Sequence, residues 1–275
     1  MAGTLYLVPT PIGNLGDISL RARQTLEAAD FIAAEDTRVT LKLLNHLEIK
    51  KSLVSYHEHN KAESGEKILA RLLAGETCAL VTDAGSPAIS DPGEDLVRLC
   101  AEHGVTVCAI PGPCALVTAL SISGLPTGRF TFEGFLSVNK KSRQEHLTGL
   151  KDETRTMIFY EAPHKLLATL QDLSAAFGAE RRISLCRELT KLHEETVRTT
   201  LAEAAAYYRD NEPRGEYVLV VAGREKQDSA MTLEEGIALV RRLRDEGMKL
   251  KDAARRVADD TGLSRNALYD GALKG

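Results

Sequence analysis

Charged and polar side chains cluster at four places where predicted strands end. These clusters are Glu35-Asp36-Thr37-Arg38, His57 with Asn60, Glu161 with His164 and Lys165, and Arg187-Glu188 with Lys191. A carboxylate or an imidazole at such a position could accept a proton, and an arginine or lysine could bind phosphate. The sequence singles out no one base, so the candidate catalytic residues are Asp36, Glu161 and Glu188.

Each cluster also has a structural interpretation. Asp36 or Thr37 could cap the helix that follows, with an ion pair to Arg38. Pro163 could open a helix whose first turn carries the polar side chains after it. The run His57-Glu58-His59 supplies two metal ligands without a convincing third, so we predict no metal site.

Three turns rich in glycine and proline each follow a predicted strand, at residues 9–17, 81–93 and 110–116. Ligands of open α/β sheets bind at the carboxyl ends of strands, where such turns expose backbone N–H and C=O groups. The turns therefore predict a pocket. Two structural alternatives stay open, since Asp91 could cap a helix beginning at Pro92, and Ala115 and Ala119 could serve packing alone.

Short apolar runs alternate with amphipathic segments, which predicts an α/β fold. In the first half the runs suit a mainly parallel sheet with crossover helices. In the second half the strands lie closer together and favour a mixed sheet. Strands are predicted at 4–8, 31–36, 53–57, 77–82, 105–110, 130–135, 155–160, 182–187, 194–199 and 216–222. Helices are predicted at 19–29, 38–46, 61–74, 93–103, 141–150, 163–177 and 200–210. The predicted domains are 1–123 and 124–225, both α/β, followed by a helical tail over 230–275.

Composition limits the class of protein. The 275 residues carry a net charge of −4 and are 43% hydrophobic, which argues against a protein that coats nucleic acid through bulk positive charge. Every long apolar run is interrupted before the roughly 18–20 residues that a bilayer requires. The start of the chain does not resemble a signal peptide, and the five cysteines show no C-x-x-C spacing. We therefore expect a cytoplasmic protein that does not contact membranes.

The tail contains predicted helices at 232–246, 249–260 and 264–273. Seven lysines and arginines stand against three acids between residues 241 and 256. Ser264 could cap the last helix, and the pattern is typical of a helix-turn-helix that presents Arg265. The tail is expected to dock RNA through its phosphates, although a three-helix cap or a dimer contact is the alternative.

Six segments together resemble the tetrapyrrole methylase family of S-adenosylmethionine-dependent enzymes. They are PTPIGNLGD, DAGSPAISDPG, IPGPCALVTALSISGLPTGRF, FYEAPHK, LCRELTKLHEE and GEYVLVVAG, and the resemblance covers residues 4–223. It is strongest to a branch that methylates the ribose 2′-hydroxyl of a cytidine in small-subunit (16S) ribosomal RNA. Single motifs of this kind are weak, but six in order are specific.

The resemblance implies two α/β domains, a homodimer, and S-adenosylmethionine held in the cleft between the domains. By motif position, the implied cofactor-binding residues are Pro9, Asp83, Ser86, Ile89, Cys114, Ala115, Tyr160, Leu189, Gly215 and Glu216. Where family members often have Gly-Asp-Pro, this chain has Gly85-Ser86-Pro87, which leaves Asp83 as the nearby carboxylate. The expected RNA contacts, with the 30S subunit as partner, are Asn14, Arg38, His57, His164, Lys165, Arg187, Lys191 and Arg265.

Two other functions fit parts of the pattern. One is a methylase of a tetrapyrrole or another small acceptor, against which the basic tail argues. The other is a non-catalytic RNA-binding assembly protein that keeps the fold.

Overall fold

The computed structural model describes residues 2–225 and 231–273. The chain forms two compact units, Met1–Arg224 and Glu225–Gly275. The first unit contains both sheets, and the second contains the helical tail.

The first sheet has five parallel strands in the order β3-β2-β4-β1-β5. The strands are β1 (Thr4–Leu7), β2 (Phe31–Ala34), β3 (Ser52–Ser55), β4 (Cys78–Val81) and β5 (Thr106–Ala109). Strands β2 and β4 are buried along their whole length, as continuous apolar runs require in a sheet covered on both faces. The predicted parallel sheet is confirmed.

Helices cover both faces of this sheet. They are α1 (Leu20–Ala28), α2 (Thr37–His46), α3 (Lys61–Leu73) and α4 (Glu94–Glu102). Alternate residues of β2 point to opposite faces. Ile32 therefore packs in one core with Leu26 of α1 and Leu44 of α2. Phe31 packs in a second core with Leu72 of α3.

The second sheet has the order β6-β7-β10-β8-β9, and only the β6–β7 pair is parallel. Its strands are β6 (Phe130–Phe135), β7 (Thr156–Glu161), β8 (Arg182–Arg187), β9 (Glu195–Thr200) and β10 (Tyr217–Val221). The predicted mixed sheet is thus confirmed. Helices α6 (Lys140–Gly149), α7 (Leu166–Phe177) and α8 (Leu201–Asp210) pack on one face.

A helix from the first half of the chain covers the other face of the second sheet. In α5 (Ala115–Ile122), Leu116 and Ala119 share a core with Ile158 of β7 and Val218 of β10. The turn after β5 therefore leads directly from the first sheet to the second.

Helix α4 begins at Glu94, one residue after the predicted start at 93, and the alternative of a helix that begins at Pro92 does not hold. Its N-cap is Gly93, with φ of +152° and no side-chain cap hydrogen bond. A Cβ on Gly93 would lie 2.9 Å from the Cβ of Ala88, and this close approach together with the positive φ favours glycine at the N-cap. Asp91 is consequently not the cap of α4. A short 3-10 helix also precedes α7, at Pro163–Lys165.

The tail unit contains α9 (Leu233–Asp245), α10 (Leu250–Thr261) and α11 (Arg265–Leu273), packed around one apolar core. Gly262 ends α10 with φ of +74°, a left-handed conformation that glycine adopts without strain. Ser264 Oγ accepts a hydrogen bond from the Ala267 amide at 3.4 Å, as its predicted capping role requires. In the part of the chain that the structure describes, none of the helices is long and apolar enough to cross a membrane.

Candidate cofactor site

The three glycine- and proline-rich turns meet in space, as the sequence predicts. Thr10 of the first turn and Gly85 of the second exchange two backbone hydrogen bonds, each of 3.0 Å. Ser86 of the second turn donates from its hydroxyl to the carbonyl of Pro113 in the third, also at 3.0 Å. The second turn is therefore bonded to both of the others.

The first and third turns also contact each other directly. A Cβ on Gly112 would lie 2.8 Å from the Cβ of Pro9, so only glycine allows this approach without a shift of backbone. The first turn extends to the second sheet as well, because a Cβ on Gly13 would lie 2.5 Å from Cγ of Lys191. The turns form one connected wall.

Tyr160, at the end of β7, joins this wall to the second sheet. Its hydroxyl accepts a hydrogen bond from the Leu116 amide in the first turn of α5, at 3.0 Å. Burial raises the pKa of Tyr160 well above its usual value, so the phenol stays protonated. The rings of Phe132 and Phe135 pack edge-on against it, with centroids 5.0 and 5.6 Å away.

These walls enclose a cavity of about 470 Å³. Its size falls within the range of small-molecule sites, roughly 300–1,000 Å³. Most of the lining is apolar, and the polar part includes three carboxylic acids, Asp91, Glu161 and Glu216. The lining residues are Ile12, Ala84, Gly85, Ser86, Ile89, Ser90, Asp91, Cys114, Ala115, Phe135, Tyr160, Glu161, Ala162, Pro163, Leu189, Glu216, Tyr217 and Val218.

Seven of the residues predicted to bind the cofactor line this cavity, namely Ser86, Ile89, Cys114, Ala115, Tyr160, Leu189 and Glu216. The other three lie just outside it. Pro9 packs against Gly112, and Asp83 Oδ1 accepts a hydrogen bond from the Asp36 amide at 3.1 Å. Gly215 has φ of +82° and lies against the side chain of Glu188.

Of the three candidate catalytic residues, only Glu161 lines the cavity. Its side chain is already bound on both oxygens, by the Thr169 hydroxyl at 2.5 Å and by the Ala162 amide at 3.0 Å. The residue is 4% exposed. Glu161 therefore stabilises the start of the segment after β7.

Asp36 and Glu188 lie outside the cavity lining and have local partners. Asp36 is the N-cap of α2, and it accepts hydrogen bonds from the Arg38 amide at 2.8 Å and the Arg38 guanidinium at 2.6 Å. These bonds hold the pKa of Asp36 far below its usual value. The Lys191 ammonium, 2.9 Å from Glu188 Oε1, lowers the pKa of Glu188 in the same way. The capping interpretation of Asp36 matches its geometry.

The residues predicted to contact RNA are not part of the cavity lining. Asn14 accepts a hydrogen bond from the Gly16 amide at 2.9 Å and caps a short 3-10 helix over Leu15–Asp17. Lys191 lies between Glu188 and Glu216, 2.9 Å from each. The others have varied surroundings: Arg38 and His164 are exposed, His57 and Lys165 are half-buried, Arg187 pairs with Glu195 at 2.9 Å, and Arg265 is exposed in the tail.

Sequence reasoning missed several lining residues. Ser90 and Asp91 belong to the second turn, but the predicted cap gave Asp91 another role. Phe135 and Tyr217 are aromatic residues at strand ends, and nothing in their spacing separates a pocket wall from a core position.

The lining chemistry fits S-adenosylmethionine. Three carboxylic acids and no basic side chain line the cavity, which suits a ligand that carries a positively charged sulfonium. The rings of Phe135 and Tyr160 and the side chains of Ile12 and Ile89 supply apolar surface for an adenosine. The N-terminus of α5, where Cys114 provides no side-chain cap, offers backbone N–H groups to a carboxylate.

A second, more acidic cavity of about 340 Å³ adjoins the first and shares Ser90 and Asp91 with it. Its other lining residues are Glu35, Glu58, Lys61, Pro92, Gly93, Glu94 and Asp95. Lys61 is bound by Glu58 and Asp95, each at 2.8 Å. Asp91 thus lies where the two cavities meet.

Comparisons with known proteins agree with this fold and site. The model of the family Tetrapyrrole (Corrin/Porphyrin) Methylases matches residues 4–205, and the model described as RsmI C-terminal HTH domain matches residues 230–275. A protein of Synechocystis sp. named ribosomal RNA small subunit methyltransferase I is 50% identical, over 99% of this chain and 98% of its own. A protein of the same name from Escherichia coli O157:H7 is 46% identical, over 99% of this chain and 95% of its own.

Solved structures share the fold at low identity. Cobalt precorrin-4 methyltransferase matches with a TM-score of 0.60 and 19% identity, over 80% of this chain and 94% of its own. Uroporphyrin-III C-methyl transferase from Thermus thermophilus, complexed with S-adenyl homocysteine, matches with a TM-score of 0.57 and 19% identity, over 81% of this chain and 98% of its own. The two-sheet architecture and the match over most of its length show that the chain belongs to the tetrapyrrole (corrin/porphyrin) methylase family.

Proposed function

We propose that this chain is an S-adenosylmethionine-dependent methyltransferase that methylates the ribose 2′-hydroxyl of a cytidine in small-subunit ribosomal RNA. The observation that carries the proposal is the convergence of the three turns on the larger cavity, which is mainly apolar and contains three carboxylic acids. Methyl transfer from a sulfonium is an in-line displacement, and holding donor and acceptor in line can contribute roughly 7–11 kcal/mol to catalysis. A stiff wall of bonded turns is suited to that task.

The RNA substrate is supported by the full-length relatives and by the tail. The relatives named ribosomal RNA small subunit methyltransferase I match both units of the chain. In the tail, Lys251 and Arg255 are exposed and lie one turn apart on α10, so they share a face. Neither takes part in an ion pair within residues 231–273, which leaves both available for phosphates.

The same proposal assigns the remaining features. The segments 1–123 and 124–225 act as two lobes around the donor, and 230–275 docks RNA. The chain works as a homodimer in the cytoplasm, where the 30S subunit is its partner. The seven lining residues predicted from the motifs bind the donor, while Arg38, Lys165 and Arg187 contact the RNA outside the cavity.

The test is methyl transfer with the purified full chain and labelled S-adenosylmethionine. Unmodified 30S subunits, free small-subunit RNA and a corrinoid are offered in parallel, and the modified nucleoside is identified by mass spectrometry. Label in a 2′-O-methylcytidine is the expected result. Label in the corrinoid would favour a small-acceptor methylase, and tight RNA binding without any transfer would favour an assembly protein.

A further inference from the structure

The three carboxylic acids of the cavity differ in what holds them. Glu161 is bound by a hydroxyl and a backbone amide, as described above. Glu216 is 2.9 Å from the Lys191 ammonium. Asp91 makes no ion pair with any residue in the described part of the chain, and the nearby Thr82 hydroxyl lowers the pKa of its carboxyl. Of the three lining carboxylates, Asp91 is therefore the one that is held neither by a backbone amide nor by a lysine.

The carboxylate of Asp91 does not serve as a helix cap. Helix α4 starts at Glu94 after the uncapped Gly93, so the side chain of Asp91 does not cap it. The residue is half-buried at the junction of the two cavities. A reacting hydroxyl that enters from the acidic cavity would pass Asp91 before reaching a donor bound in the larger one.

We propose that Asp91 is a catalytic residue that accepts the proton of the methyl-acceptor hydroxyl. The inference rests on the proposed function and adds a base that the motifs do not assign. A ribose hydroxyl is a weak nucleophile, and a positioned base contributes about 10²–10⁴-fold to such a step.

The step balances without any further reactant. The hydroxyl oxygen forms a bond to the methyl carbon of the sulfonium donor as the carbon–sulfur bond breaks, and the bonding pair stays on sulfur, which becomes a neutral thioether. The hydroxyl proton passes to a carboxylate oxygen of Asp91. Solvent in the adjoining cavity then removes that proton.

The surroundings of Asp91 favour this role. Burial is the main cause that raises its pKa, the Thr82 hydroxyl opposes the rise, and the charge of Asp83 adds to it. A base with a pKa nearer neutrality is more effective than an ordinary aspartate. Other charged or titratable groups face the same two cavities. In the larger cavity they are Cys114, Tyr160, Glu161, Glu216 and Tyr217, and in the acidic cavity they are Glu35, Glu58, Lys61, Glu94 and Asp95.

The test compares Asp91→Asn with Glu102→Gln in the full chain, on 30S subunits. Glu102 is an exposed acid at the end of α4 that lines neither cavity, so Glu102→Gln removes the same charge away from the proposed site. For Asp91→Asn we expect kcat to fall by about 10²–10⁴-fold while KM for the subunit changes by less than about threefold. Equilibrium dialysis with S-adenosylhomocysteine should give the wild-type Kd.

A pH profile separates a base from a structural residue. In the wild type, log kcat should rise with unit slope and level off above the pKa of Asp91, and Asp91→Asn should lose that slope. Thr82→Val removes the hydroxyl that stabilises the charged form, so it should move the inflection to higher pH. Because Asp91 holds its proton more tightly in the folded chain, its charged form lowers stability at neutral pH. Asp91→Asn should therefore fold with an unchanged or higher Tm.

Wild-type kinetics in Asp91→Asn, or a slope of log kcat against pH that this variant retains, would overturn the inference, as would an equal loss of kcat in Glu102→Gln. A weakened Kd for S-adenosylhomocysteine with unchanged kcat would overturn it in favour of donor binding. These outcomes are distinct from failure of the proposed function, which would appear as a wild-type chain that transfers no methyl group to RNA.

Discussion

The contact between the first and third turns can be tested with a single methyl group. In Gly112→Ala, the new Cβ would lie 2.8 Å from Cβ and 3.1 Å from Cγ of Pro9. Carbon atoms pack best at about 3.5–4.0 Å, so one turn must move by roughly 1 Å. Gly112 is not among the glycines with positive φ, which means that alanine adds contact strain and no backbone strain.

The size of the effect follows from the energy of overpacking. An extra methyl group in a close-packed site typically costs about 1–3 kcal/mol. If the chain relieves this strain by opening the turns, donor binding must close them again. The Kd for S-adenosylmethionine should then rise by up to about 5–150-fold. If the turns stay closed, the same energy appears as lower stability of the free chain.

Calorimetric titration with S-adenosylhomocysteine and urea unfolding measure the two possibilities on the same preparation. Gly128→Ala is the matched control, because a Cβ there meets nothing within 4 Å. We expect Gly112→Ala to lose affinity, stability or both, and Gly128→Ala to lose neither beyond about 1 kcal/mol. Wild-type affinity and stability in Gly112→Ala would show that the turns need no such approach, and the reasoning would be wrong.

Three further predictions test other parts of the account. Tyr160→Phe leaves a buried amide of α5 without its acceptor, so the free energy of unfolding should fall by about 1–3 kcal/mol in urea titrations, and an unchanged midpoint would contradict the bond. Gly215→Ala places a Cβ 2.5 Å from Cγ of Glu188 at φ of +82°, and it should destabilise the chain by at least about 1 kcal/mol by the same measurement. A double substitution of Lys251 and Arg255 by alanine should weaken 30S binding and reduce its salt slope by about 1.4–1.8, at roughly 0.7–0.9 per phosphate contact. An unchanged salt slope would contradict the proposed role of the tail in RNA docking.

The regular elements were predictable because their signals are local. The apolar runs of β2 and β4 are continuous, which indicates that both faces of the sheet are buried. Each turn rich in glycine and proline directly follows a strand, which places the pocket at the carboxyl edge of the sheet. The basic stretch and the Thr261-Gly262-Leu263-Ser264 segment likewise predict the helical tail, in which Gly262 has the expected left-handed conformation.

Only part of the site could be predicted, because the group that each side chain binds depends on the tertiary structure. The sequence places Asp36 two residues before Arg38, but it cannot show that the arginine binds both oxygens of the carboxylate. These bonds make Asp36 a poor candidate for the base. Nor can the sequence show that Thr169 of α7 binds Glu161. Asp91 followed by Pro92 is typical of a helix cap, and only the structure shows that α4 begins at Glu94 with Gly93 as its N-cap.

The central claim is that the bonded turns and the second-sheet wall hold one sulfonium donor per chain. Equilibrium dialysis of the purified chain against labelled S-adenosylmethionine tests it most directly, with Ala115→Trp as a variant that fills the cavity. The account predicts saturable binding of one molecule per chain, displaced by S-adenosylhomocysteine and lost in Ala115→Trp. Absence of saturable binding up to about 1 mM, or equal binding by the filled variant, would contradict it.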